Sequence, residues 1–181
     1  MENIKNMLQN KIFVRPDRAL CISMIISLFI AFFSFIVGTQ LTGVFQANLS
    51  SIQLTIFEVF VHNTMISLLL LAGVFSYGLV SFILIIMNFA VFGMQVNTMI
   101  SHIGFLSMAN KIVWHSFLEL PAIILATVFG FYFFVSQIIL EQDLNWKNLG
   151  RQLRMIIILI IPLNFLAAMI EVLISNRVGD L

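Results

Sequence analysis

Glu58, Glu119 and Glu171 each interrupt a long apolar stretch of the sequence. An ionisable side chain inside a membrane span costs about 2.5–3.5 kcal/mol on insertion scales, so it is a candidate functional group facing the interior of a helix bundle. His62 follows Glu58 by four residues and His115 precedes Glu119 by four, so each histidine shares a helix face with a glutamate. These spacings predict a polar pocket between helices.

The predicted pocket has a functional and a structural interpretation. In the first, it moves protons or binds a cationic or peptidic group; in the second, its side chains form hydrogen bonds that hold a small bundle together in lipid. Asn63, Asn88 and Asn164 also lie within apolar stretches, where their amides can bridge helices, and Asn164 is expected to be structural. The candidate intramembrane polar cluster consists of His62, Asn63, Asn88, His115, Glu119 and Glu171.

Proline and glycine mark further positions in the apolar stretches. Pro121 removes the backbone hydrogen bond to residue 117 and is expected to kink its helix beside Glu119. Gly73, Gly78 and Gly93 are predicted turn and close-packing positions, because a glycine lets two backbones approach closely.

The sequence has no recognisable catalytic or metal-binding pattern. Neither a GxSxG, Walker or dinucleotide motif nor an HExxH run occurs, and no nucleophile and base can be paired, so we expect no enzyme, no cofactor and no metal. A single cysteine, Cys21, excludes an intramolecular disulfide.

These polar residues are carried by a chain that cannot form an aqueous surface. Of its 181 residues, 61% are hydrophobic and only 9% are charged, whereas about a quarter of an average soluble domain is charged. A span needs about 20 mostly apolar residues. The composition predicts an all-α bundle of about five transmembrane helices with short loops, forming one membrane domain over residues 1–181. The net charge of +1 gives no indication of nucleic-acid binding.

The apolar stretches predict spans at about 20–39, 57–75, 78–100, 112–138 and 155–174. Residues 1–18 are expected to form a cytoplasmic or interfacial segment with a short helix over 2–12. The first apolar stretch follows basic residues, as in a signal peptide, but it is long and lacks a cleavage site, so we expect a retained helix. The stretches 38–55, 101–111 and 141–154 are predicted loops, and 73–78 is a tight turn.

Basic residues orient the predicted bundle, because cytoplasmic loops are enriched in Lys and Arg. Seven fall on the side of the N-terminus and two on the other: Lys5, Lys11, Arg15, Arg18, Lys147, Arg151 and Arg154, against Lys111 and Arg177. The count predicts a membrane protein with a cytoplasmic N-terminus and an external C-terminus. The three glutamates would then lie in the outer half of the membrane.

Several motifs resemble the stage II sporulation protein M family of bacterial membrane proteins. The matching elements span about 57–174 and are His62-Asn63, Gly73 with Gly78, Asn88 with Gly93, HSFLELPAIILATVFGF from His115 to Phe131, and AAMIE ending at Glu171. The family typically has Pro-His-Gly before the glutamate of the fourth element. Trp114, His115 and Ser116 stand there, so the histidine is retained, while the proline and glycine are lost.

The resemblance implies a membrane accessory protein and leaves several functions open. Some family members accompany gene clusters for circular bacteriocins, which implies maturation, export or immunity of a secreted peptide. Sporulation members imply a scaffold for cell-wall remodelling at engulfment. A small proton-coupled transporter or permease is a third alternative. Candidate partners are the lipid bilayer, other membrane subunits such as an ABC transporter or peptide-processing proteins, a hydrophobic peptide, and a second copy of the chain.

Overall fold

Five helices are long and apolar enough to cross a membrane, as the composition predicts. The computed structural model describes residues 17–41, 55–142 and 146–178, and for 110–115 and 174–178 it describes the backbone alone. The described residues include no strand, and the predicted all-α membrane bundle is confirmed. The predicted interfacial helix over 2–12 and most of the predicted loop 38–55 lie outside the described residues.

The helices follow one another up and down the bundle. They are α1 (Arg18–Gln40), α2 (Ile56–Ala72), α3 (Leu79–Ile103), α4 (Phe105–Phe134) and α5 (Trp146–Val178), with a 3₁₀ turn at Gly73–Ser76 and a π turn at Val135–Ile139. We call the end of the bundle where α1 begins the Asp17 end. The opposite end, where α2 and α4 begin, is the Thr55 end.

Two of the predicted loops are largely helical. Only Gly104, with φ +78°, separates α3 from α4, so the predicted loop 101–111 is wrong, and α5 begins nine residues before the predicted 155. Polar side chains suggested loops at both places. In α5, however, Leu149 is buried against Val74 and Phe133. The first turns of α5 therefore form an amphipathic helix whose apolar face packs on the bundle.

The turn between α2 and α3 requires glycine. Tyr77 and Gly78 adopt left-handed conformations with φ of 52° and 81°, and Gly78 N donates to Gly73 O over 2.8 Å. A hydrogen bond of 2.6 Å from Ser81 Oγ to Leu70 O then joins α3 to α2 across this turn. The turn lies where the sequence predicts it.

Helix α4 is the centre of the bundle. It contacts each of the other four helices, and 67% of its apolar window is buried, against 39% or less in the other spans. Asp17 ties α1 to α4, because its Oδ2 accepts from the Tyr132 hydroxyl over 2.6 Å while its Oδ1 accepts from Ala19 N. This capping also provides the first turn of α1 with an acceptor.

Small residues bring α1 and α3 close together. A buried stripe runs along α1 and consists of Ala19, Ser23, Ser27, Ala31, Ser34 and Gly38. Near the Thr55 end, Gly93 of α3 lies directly against the α1 backbone at Phe35 and Gly38, and Asn97 Nδ2 donates to Thr39 O over 2.8 Å. Small side chains and one interhelical hydrogen bond are the usual basis of helix association in lipid.

Candidate functional site

A cavity of about 600 Å³ lies in the half of the bundle nearer the Thr55 end, between α2, α3, α4 and α5. Its wall on α2 extends from Glu58 to Ile66, about 12 Å along the helix axis. The polar residues in its wall are Glu58, His62, Asn63, Asn88, Gln95, Ser116, Glu119 and Glu171. Polar and apolar side chains therefore line the cavity together.

Five of the six residues of the predicted polar cluster line this one cavity. His62 and Asn63 belong to α2, Asn88 to α3, Glu119 to α4 and Glu171 to α5. They are separated by more than 100 residues of sequence and meet only because the helices pack side by side. The side chain of the sixth residue, His115, lies outside the described part of the chain.

Carboxylates dominate the electrostatics of the cavity. Glu119 and Glu171 are half-buried in its wall, and Glu58 is exposed at its rim. Among the described residues that line it, none is Lys or Arg, and His62 at the rim is the only side chain that can become cationic. The wall therefore offers several oxygen acceptors to a cationic or donor group.

Two buried polar groups in the wall have no hydrogen-bond partner within the described part of the chain. Asn63 is 6% exposed and Ser116 is 8% exposed. Neither the Asn63 side-chain nitrogen nor the Ser116 hydroxyl makes a hydrogen bond there. Buried polar groups in folded proteins are rarely left in this state, because each unpaired group keeps its full desolvation cost.

Asn88 does not bridge helices as its sequence position suggested. Its side-chain Nδ2 donates to Leu84 O of its own helix over 2.8 Å. The amide satisfies a backbone carbonyl one turn back, which is a local alternative open to any polar side chain in a helix. Asn88 thus contributes polarity to the cavity wall without joining α3 to a neighbour.

Glu58 has a structural role that the sequence analysis missed. Thr55 and Glu58 form a capping box at the start of α2: Glu58 Oε2 accepts from Thr55 N at 2.8 Å, and Thr55 Oγ1 accepts from Glu58 N at 3.3 Å. Thr-x-x-Glu before an apolar run is the sequence signal for this arrangement. The glutamate at the rim is therefore held in place by the helix start.

The cavity ends in a packed apolar layer towards the Asp17 end. Phe89 and Ile123 line the cavity and also belong to the central core, together with Leu70, Ile85, Ala126 and Ile160. At about this level Asn164 Nδ2 donates to Ser67 Oγ over 3.0 Å, and both residues are fully buried. This bond joins α5 to α2, the structural role expected for Asn164. The cavity does not continue through this layer.

Gly73, Gly78 and Gly93 lie at close contacts outside the cavity wall. A Cβ at Gly73 would meet the Ser81 side chain, and one at Gly78 would meet Phe131.

Pro121 lies two residues after Glu119 and is exposed on α4, which continues as a helix on both sides of it. Pro162, which the sequence analysis overlooked, also lies inside a helix: it is exposed on α5, two residues before Asn164.

The arrangement provides carboxylate acceptors, an amide donor and a hydroxyl around one space of ligand size. Within the described residues, no group of three His, Cys, Asp or Glu side chains is placed to hold a metal. The carboxylates, the amide and the hydroxyl can together recognise a polar or cationic group inside the bilayer.

Comparison with known proteins connects the fold to one family. The family model for stage II sporulation protein M matches residues 19–176, which cover all five helices up to the end of α5. No match was found among the curated proteins or among the solved structures. With its helices, its cavity and this match over most of its length, the chain belongs to the stage II sporulation protein M family of membrane proteins.

Proposed function

We propose that this protein is an accessory subunit of a membrane complex that matures, exports or gives immunity to a secreted peptide of the circular bacteriocin type. The observation that carries the proposal is a cavity with three glutamates in its wall, and with an amide and a hydroxyl that have no partner among the described residues. Such a wall suits a stretch of peptide or the side chains of a partner helix, which present both donors and acceptors. An ABC transporter or a peptide-processing protein would complete the complex.

The charge distribution supports an external opening for the cavity. If the positive-inside rule holds for this chain, the Asp17 end is cytoplasmic and the Thr55 end is external. Single cysteines placed at Ser107 and at Lys147, in a Cys21→Ser background, test this orientation. An impermeant maleimide added to intact cells should label the residue-107 cysteine and not the residue-147 cysteine, since both parent residues are exposed at opposite ends. The reverse labelling would contradict an external cavity.

The function is tested in a strain that produces the peptide and carries only a plasmid copy of this gene. Glu119→Gln should lower peptide yield or producer tolerance while the membrane level of the protein is unchanged, because the substitution keeps the side-chain size and removes the charge. Glu141→Gln is the matched control, since Glu141 is exposed between α4 and α5 at the Asp17 end. Full yield and tolerance with Glu119→Gln would contradict the proposal.

Two other results would replace this function with an alternative. A pH-dependent flux in liposomes that contain the purified protein alone would support a proton-coupled transporter. Co-purification with cell-wall hydrolases, with normal peptide yield after deletion, would support a sporulation-type scaffold.

A further inference from the structure

The unpartnered groups in the cavity wall indicate what kind of ligand the cavity takes. The Asn63 amide is a hydrogen-bond donor on α2, and the Ser116 hydroxyl is a donor and acceptor on α4; both residues are more than nine-tenths buried. Both line the same cavity, so an occupant of that space is the available source of a partner. The occupant must offer an acceptor for the Asn63 amide and a donor or an acceptor for the Ser116 hydroxyl.

The carboxylates of the wall favour an occupant with positive charge. Glu119 lies three residues after Ser116 on α4, so the two side chains share a helix face, and Glu171 approaches from α5. An ammonium group has three donors and no acceptor, and it behaves as a compact point charge on an apolar stem. It therefore suits acceptors that come from two helices.

The size and the floor of the cavity favour a side chain with a short piece of backbone. A volume of about 600 Å³ lies within the range of small-ligand pockets and is too small for a transmembrane helix. The floor at Phe89 and Ile123 is apolar, so it can pack against the methylene stem of a lysine.

We propose that the cavity binds a lysine side chain of a hydrophobic peptide, with the ammonium group against Glu119 and Glu171 and a peptide carbonyl accepting from the Asn63 amide. The choice of a peptide as the ligand rests on the proposed function. The choice of a cation follows from the carboxylates in the wall, and the choice of a carbonyl follows from the Asn63 amide.

The test uses the full chain in nanodiscs of zwitterionic lipid and two short leucine peptides blocked at both termini. One peptide has lysine at its centre, and the other has norleucine, which keeps the stem and lacks the charge. The lysine peptide should bind about tenfold tighter or more, as expected for charge-assisted hydrogen bonds in a partly desolvated site. The preference for the lysine peptide over the norleucine peptide should vanish in the Glu119→Gln/Glu171→Gln double variant. It should persist in Glu141→Gln, the control outside the cavity.

Asn63→Leu separates a binding role from a structural one. The leucine has a similar size and removes an amide whose donor has no partner, so the melting temperature of the free protein should stay the same or rise. The affinity for both peptides should fall, because both present the same backbone carbonyls. A lower melting temperature with unchanged affinity would show that the amide serves the fold.

Equal affinity for the two peptides, or a lysine preference that survives in the double glutamine variant, would overturn the inference. If that happens while Glu119→Gln still lowers peptide yield in cells, the proposed function stands with a different ligand. If lysine is preferred in nanodiscs but Glu119→Gln leaves yield and tolerance intact, the site stands and the proposed function fails.

Discussion

Replacing Gly93 by alanine should destabilise the bundle, because α1 and α3 touch at this residue. A Cβ added there would lie 3.0 Å from Thr39 N and 3.2 Å from Gly38 C, and closer still to the carbonyl oxygen of Phe35. All three are backbone atoms, so no side chain can rotate away. The helices must separate locally, which also weakens the nearby hydrogen bond from Asn97 to Thr39.

The magnitude follows from three contributions. Overpacking of a tight contact costs about 1–3 kcal/mol. Loss of an interhelical hydrogen bond in a membrane costs roughly 0.6–2 kcal/mol. Against these, alanine is the better helix former by about 0.5–1 kcal/mol. The free energy of unfolding should therefore fall by roughly 1–4 kcal/mol.

The same substitution at Gly150 is the matched control. Gly150 is exposed within α5, and a Cβ there would meet no atom within 4 Å. Only the helix-propensity contribution applies, so Gly150→Ala should be neutral or should stabilise by up to about 1 kcal/mol. Both variants are measured by SDS-induced unfolding in mixed micelles, followed by circular dichroism. Equal effects of the two substitutions would refute the inferred contact between α1 and α3.

Three further substitutions test single contacts in the same unfolding assay. Asn164→Val and Ser67→Ala, combined in a double-mutant cycle, should show a coupling energy of roughly 0.6–1.7 kcal/mol from their buried hydrogen bond; additive effects would contradict that bond. Tyr132→Phe should cost about 0.5–1.5 kcal/mol, because it removes the donor to Asp17, and the loss should be absent in an Asp17→Ala background. Thr55→Val removes the helix cap of α2 and should lower the free energy of unfolding by about 1 kcal/mol. Amide hydrogen exchange should become faster in the first turn of α2 alone, and unchanged exchange rates there would contradict the capping box.

The polar residues of the cavity could be named from sequence because each is anomalous in its context. A carboxylate or an amide within an apolar stretch is unfavourable in lipid, so it stands out in a single sequence without any alignment. Glu119 and Glu171 were found in this way. Ser116 and Gln95 were not, since serine and glutamine carry no charge and occur in many membrane helices without function. Their place in the wall depends on which face of the helix meets the neighbours.

Loop boundaries failed where polarity was taken for irregular structure. The starts of α4 and α5 carry polar and basic side chains, yet both are helical. Met108 of α4 and Leu149 of α5 are buried in these segments, so an apolar residue of each still packs on the bundle. Residues Lys147, Arg151 and Arg154 are exposed on α5, opposite the buried Leu149. A charge pattern with helical period was the available signal.

The sequence by itself determined the class of the protein and its number of spans, because lipid solvation imposes a length of about 20 apolar residues that is readable in one dimension. It also determined which polar residues need an explanation. Only the tertiary structure decided that residues from four helices enclose one cavity and that this cavity ends near Phe89 and Ile123. It also decided that the Asn63 amide nitrogen and the Ser116 hydroxyl find no partner among the residues that the structure describes. These features depend on how each helix is rotated and packed against the others. Helix packing in lipid is set by small residues and single hydrogen bonds, such as the contact of Gly93 with the α1 backbone. A single sequence does not show which residues meet in such contacts.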